Sequence, residues 1–222
     1  GVSVGNNVLF SGNLTVLGTQ DLSLTGMVVG SGNLIKDGAS TLNLAGANSL
    51  TGTVTLNQGT LRLGQDTSLG NASLVVGGAS TLQAAANIAL SNAVTLGSEL
   101  TVSGGNDLTL NGVVSGAAGL VKEGSGKLTL SGTNLYQGNT TLNAGTLVLG
   151  NAGALGHGRL DVAGSAALES ASALTVGNDV TISGDLTVQG SDNLTLDGSV
   201  TGMGSLTKAG TGTLTLNGGN GF

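Results

Sequence analysis

Residues 99–116 read ELTVSGGNDLTLNGVVSG, and the same pattern stands at 13–30 as NLTVLGTQDLSLTGMVVG and at 185–202 as DLTVQGSDNLTLDGSVTG. The offset is 86 residues both times. It holds across the chain without insertion or deletion: Leu34, Leu120 and Leu206 align, as do Lys36, Lys122 and Lys208, and Leu42, Leu128 and Leu214. Unbroken self-similarity is the mark of an array whose units bury one another's apolar surfaces. The copies span 14–99, 100–185 and, in part, 186–222, with 1–13 as the end of a preceding copy. The phase reads as a piece of a longer array, forming one solenoid segment over 1–222.

Inside each copy, apolar triplets such as LTV, LSL, LNL, VTL and LRL are separated by Gly, Asn, Asp and Ser. This is a period of two, the signal of short half-buried strands. Triplets beginning at Leu14, Leu34, Val54, Leu74 and Val94 are 20 residues apart, and no helical spacing competes. Strands that return above themselves every 20 or so residues predict an all-β fold, a right-handed parallel β-helix with about four coils per 86-residue repeat. On that reading residues 86 apart superpose by translation along the axis, by roughly 19 Å for four strand spacings. The 42 Gly suit close-stacked corners, and the absence of Pro suits strands paired on both sides. With three aromatic residues in the whole chain, the core is a narrow column of Leu, Val, Ile and Ala.

The stretch from Gly119 to Gly150, GLVKEGSGKLTLSGTNLYQGNTTLNAGTLVLG, carries a more specific pattern in Leu120, Lys122, Gly124, Gly126, Leu128, Leu130, Gly132, Asn134, Tyr136, Gly138, Thr140, Gly145, Thr146, Leu147 and Leu149. It resembles the passenger-associated transport repeat of bacterial autotransporters. A second copy, from Leu34 to Gly64, departs from the pattern at Ser40 and at Leu50, and a third begins at Leu206 and runs to Phe222. The resemblance implies a β-helical stalk exported across the outer membrane by type V secretion, with a translocator barrel as its partner during export. The segment would then stand on the surface of a Gram-negative bacterium, or be secreted, as a rod-like spacer and adhesive surface. Its partner outside the cell would be a host or neighbouring-cell receptor or glycan.

Lys122 stands in phase with Leu120, at a position where alternation turns the side chain inward. A displaced lysine can be a catalytic base or nucleophile. No histidine or carboxylate pair recurs beside Lys36, Lys122 and Lys208, so the residue types favour a strand-end lysine whose stem covers the core edge and whose ammonium reaches solvent or corner carbonyls. His157 is the only histidine, which excludes His-based triads and multi-histidine metal sites, and its counterpart Asn71 points to an exposed turn. The acids are dispersed, Asp21 aligning with Asp107 and Glu99 with Asp185, whereas a glycosidase or lyase needs carboxylates converging on one face. No catalytic, cofactor or metal residue is therefore expected. A polysaccharide-active β-helical enzyme remains the alternative, and outward threonines such as Thr15, Thr101 and Thr187 raise ice binding as a third. Six basic residues and a formal charge of −6 argue against nucleic acid and anionic membrane surfaces. No apolar run reaches the roughly 18 residues of a membrane span, so direct insertion of the segment is not expected. Asn at corners, Asn134 among them, is read as bonding turn backbone.

Overall fold

The computed structural model describes all 222 residues, and every regular element in it is a β-strand. Each coil holds three short strands separated by corners, and successive coils pair in parallel about 20 residues apart. The first face starts with Val2–Val4 on Leu22–Leu24, runs through Leu120–Lys122 and Leu160–Val162 to Val200–Gly202, and is eleven strands deep. The second face starts with Val8–Phe10 on Val28–Gly30 and Ser49–Leu50, is interrupted, and resumes with Ile88–Leu90, Leu108–Leu110 and Lys127–Leu130. The third runs from Leu14–Val16 through Ser73–Val76, Val94–Leu96 and Val114–Gly116, is interrupted, and resumes at Leu174–Val176. Two strands of 11 residues, Leu34–Leu44 and Thr53–Leu63, pass through the corner from the third face to the first. The fold is a parallel β-solenoid of about eleven coils.

Alternation along each strand builds the core. In Leu34–Leu44 the buried positions are Leu34, Lys36, Gly38, Ser40, Leu42 and Leu44, every second residue. Stacking such strands merges the inward side chains into one cluster of 46 buried residues running the length of the rod. A single coil encloses too few aliphatic side chains to offset the entropy of ordering its own backbone, so stability resides in the stack.

The expected pure translation between repeats is corrected by the register. Lys36 lies on the third face, Lys122 on the first and Lys208 on the second. The column from Lys36 runs through Leu56, Val76, Leu96 and Gly116, four coils on the same face, and the chain then continues to Lys122 on the next. Leu34 and Leu120 likewise differ in face. One repeat is therefore four and a third coils, a rise of about 21 Å with a rotation of about a third of a turn. All three faces are built from interchangeable Leu-x-Leu triplets, so a shift by one face leaves the core composition unchanged.

Backbone geometry follows the same screw. The residues with left-handed φ are all glycine and fall into sets 86 apart: Gly18, Gly104 and Gly190; Gly59 and Gly145; Gly70 and Gly156; Gly116 and Gly202; Gly124 and Gly210. Outward hydroxyls are spread over the three faces, but Thr41, Thr60, Thr81 and Thr101 stack on consecutive coils of the first.

Candidate functional site

The polar groups that recur with the repeat are fasteners between coils. Lys122 ends a first-face strand with its side chain turned into the core and only 2% exposed. Of the two destinations open to its ammonium, solvent or carbonyls, it takes the second. Nζ donates to Glu123 O at 2.7 Å and Gly124 O at 2.9 Å in its own coil, and to Ala144 O at 3.2 Å in the next. Lys36 repeats this on the third face, buried and donating to Gly38 O and, in the next coil, to Gln58 O at 3.2 Å. Lys208, exposed on the second face, donates to Ala209 O and to Gly210 O at 3.1 Å. Burial pushes the Lys122 amine down to about 8, against the opposing pull of Asp107 and Glu123. Burial lowers Lys36 as well, opposed by Asp37 and Asp21.

Gly145 makes room for this corner. Its φ is +73°, and a Cβ there would stand 2.4 Å from Gly124 O and 2.7 Å from Lys122 Nζ. Gly126 meets the same limit from Asn106 O, at 2.2 Å, and Gly132 from Gly112 O, at 2.7 Å. Asn134 is buried and bridges three coils: its Oδ1 accepts from Val114 N at 2.8 Å and its Nδ2 donates to Ala154 O at 2.7 Å. Asn48 makes the equivalent pair with Val28 N and Ser68 O, and Asn220 accepts from Val200 N. Leu120, Leu128, Leu130 and Leu147 point into the core with at most 1% exposure. Tyr136 is fully buried, its hydroxyl 2.6 Å from Thr140 Oγ1, and burial raises it to about 12 against that hydrogen bond.

Two recurrent fasteners escaped the motif reading. Asp21, Asp107 and Asn193 each accept a backbone N–H from the coil above or below, from Thr41, Lys127 and Thr213. That hydrogen bond holds the exposed Asp21 carboxyl below its usual range. Asn92 and Asn178 form the other set, and in both sets the 86-residue alignment is the signal that would have found them.

Both interruptions of the faces are turns in repeat register. Asp66–Asn71 leaves the second face, and residues 152–157 leave the third, in consecutive tight turns closed by Gly70 N to Thr67 O at 2.9 Å and Gly156 N to Gly153 O at 3.2 Å. Leu69 and Leu155 still plug the core at each turn. Beside each turn a shallow groove opens, of about 550 Å³ and about 410 Å³. Asn71, Ser73, Asn92 and Ala93 line the first, and the residues 86 further on, His157, Arg159, Asn178 and Asp179, line the second. His157 is exposed, as a turn position requires. No group of three or more His, Cys, Asp or Glu that could hold a metal ion converges.

A parallel solenoid in which a corner lysine, an asparagine and a left-handed glycine recur with the repeat, the lysine buried at Lys36 and Lys122, is a stalk built by repetition. The family model of the passenger-associated-transport-repeat matches residues 34–63, 120–149 and 206–222, which include all three lysine corners. The chain is also 38% identical over 160 residues to the adhesin BmaC autotransporter of Brucella suis biovar 1 (strain 1330), covering 70% of this chain and 5% of that protein. No solved structure matches it. The chain is a segment of an autotransporter passenger, and its place is the bacterial cell surface or the secreted fraction.

Proposed function

We propose that the segment is a non-enzymatic, rod-like stalk that both spaces and supplies an adhesive surface, and that its coil-by-coil folding outside the cell draws the passenger outward. The observation that carries this is the fastening pattern: Lys36 and Lys122 reach a backbone carbonyl of the next coil, and Asn48, Asn134 and Asn220 each accept a backbone N–H from the preceding one. Each coil added therefore provides the template and the polar partners for the next, and a chain emerging end first gains stability with every coil. The repeats at 14–99, 100–185 and 186–222 are the units of this process, and the roles of Lys36, Lys122, Lys208, Asn134 and Gly145 are architectural. During export the partner is an outer-membrane translocator barrel. At the surface it is a receptor or glycan of a host or neighbouring cell, and the adhesin named among its relatives supports that part of the reading.

The test is surface display. The chain fused ahead of a translocator barrel should raise bacterial attachment to epithelial monolayers above that of a barrel carrying an unrelated β-solenoid of equal length. Equal attachment refutes the adhesive role. Purified chain should cleave neither pectin, hyaluronan nor arabinogalactan; depolymerisation abolished by one acid-to-amide substitution refutes the non-enzymatic reading.

A further inference from the structure

We infer that the two turn-side grooves are repeated binding sites for neutral oligosaccharide, set around the rod by the one-face advance of each repeat; the inference rests on the adhesive reading above and names its ligand class. The grooves are equivalent by construction, because the same interruption of a face, closed at Gly70 and Gly156 with φ of +54° and +60°, opens each of them. One side chain is kept in both. Asn92 Nδ2 donates to Gly70 O at 3.0 Å and Ala72 O at 2.7 Å, and Asn178 Nδ2 donates to Gly156 O at 3.1 Å and Gly158 O at 2.6 Å. In each case the amide nitrogen is spent on the turn, while Oδ1 has no protein donor and is not sealed from solvent.

The lining decides the ligand class. Charge is not kept between the grooves: the first holds Asp66, the second Arg159, His157 and Asp179. A ligand read in both places is therefore not recognised by its own charge. Nor is it recognised by an apolar anchor, since the second groove has no hydrophobic residue in its lining and the first has only alanines. What both offer is a mixture of acceptors and donors on a surface of small residues. Hydroxyls that donate and accept at once match such a lining, and the volumes hold one to three sugar rings. Arg159 spends Nε on Asp161, and the terminal guanidinium nitrogens have no protein acceptor, so they remain as donors for sugar oxygens. Asp179 is held ionised by the Ser199 hydroxyl and N–H, which keeps it an acceptor.

Shallow polar grooves bind weakly one at a time, and the solenoid compensates by number. The first groove adjoins the second-face interruption and the second the third-face interruption, so the sites wind around the rod with a rise of about 21 Å. Three repeats return to the same face after thirteen coils, about 62 Å along the axis. A rod of this kind presents a site to a glycan-covered surface whichever face lies against it.

The experiment is ¹H–¹⁵N chemical-shift mapping of the chain with lactose, maltotriose, chitotriose and mannotriose, each taken to roughly 10 mM, where a site with Kd near 1 mM is almost filled. At least one should shift amides at 70–73 and 91–93 together with 156–159 and 177–179. Asn71→Met and His157→Met, both at exposed turn positions, should each abolish the shifts of their own groove only, and together lower retention on beads carrying the active sugar at least tenfold. Absence of shifts with all four sugars, shifts elsewhere on the rod, or shifts that survive both substitutions would overturn the proposal. So would a response of the Arg159 groove confined to a sialylated or sulfated sugar. Displayed rods that attach to cells but show no sugar shifts would overturn this proposal and leave the adhesive reading standing, whereas rods that bind the sugars yet fail to attach would do the reverse.

Discussion

Titrating the solenoid between pH 8 and pH 10 should make it more stable, and replacing Lys122 by Met should remove much of that gain. The folded-state value of Lys122 is about 8, below the 10.5 of an unburied lysine, because burial penalises the ammonium. Between these values the unfolded chain binds more protons than the folded one, so stability rises with pH through the window. The burial penalty is present in full below pH 8. A shift of this size over pH 8 to 10 corresponds to about 2 kcal/mol. Lys36, lowered by the same cause, adds in the same direction. Tyr136 acts oppositely: its value is raised to about 12 from 10.0, so the unfolded phenol ionises first and stability falls above pH 10. The curve should therefore peak near pH 10. The assay is urea denaturation across pH 7–11, with amide exchange at Glu123 and Asn143 as a local readout. At pH 7 Lys122→Met loses three ammonium–carbonyl bonds but is spared the buried charge, for a net cost of about 2 kcal/mol. If Lys122→Met keeps the full rise between pH 8 and 10, the buried amine is not its source and the reasoning fails.

Other substitutions test the corners separately. Gly145→Ala should cost about 2–4 kcal/mol in denaturation midpoint analysis, since the new methyl meets a carbonyl at 2.4 Å in a left-handed backbone. Asn134→Leu, similar in volume, should cost about 3 kcal/mol by stranding Val114 N–H and Ala154 C=O, and should speed exchange of the Val114 amide. Glu169→Gln, which neutralises the half-buried partner of the exposed Lys127 across two coils, should change stability by less than about 1 kcal/mol in the same assay. Deleting residues 100–185 should leave a folded solenoid in which Val188 and Lys208 occupy the first face, with Val188 in the place of Val102 on Leu82, measurable by disulfide trapping of position 188 to position 82 after substitution of both residues by Cys; absence of trapping in a folded product would refute the screw relation.

Much of this architecture was legible in the sequence, because the features concerned are local or periodic. Alternating Leu-x-Leu triplets force strands of period two, the spacing of 20 sets the coil, and the gap-free 86-residue register announces the array. The choice of glycine at corners was legible for the same reason. The rotation of the repeat was not, although the arithmetic was present: 86 exceeds four coils of 20 by 6, which is the spacing from Gly116 to Lys122. Sequence alone leaves that remainder to be absorbed by longer coils or by a change of face. Tertiary structure decides it, because three faces of equal apolar pattern accept one another's strands without loss of core packing.

The lysine corner divides along the same line. Its inward phase is a property of one strand, readable from Leu120 and Lys122 alone. Its destination depends on Ala144 O, a carbonyl 22 residues away that becomes a neighbour only when the next coil closes over it. The grooves likewise exist only because a turn in one coil exposes the strand ends of the next. Periodicity along the chain thus specified which residues recur, while stacking across coils decided what each of them touches.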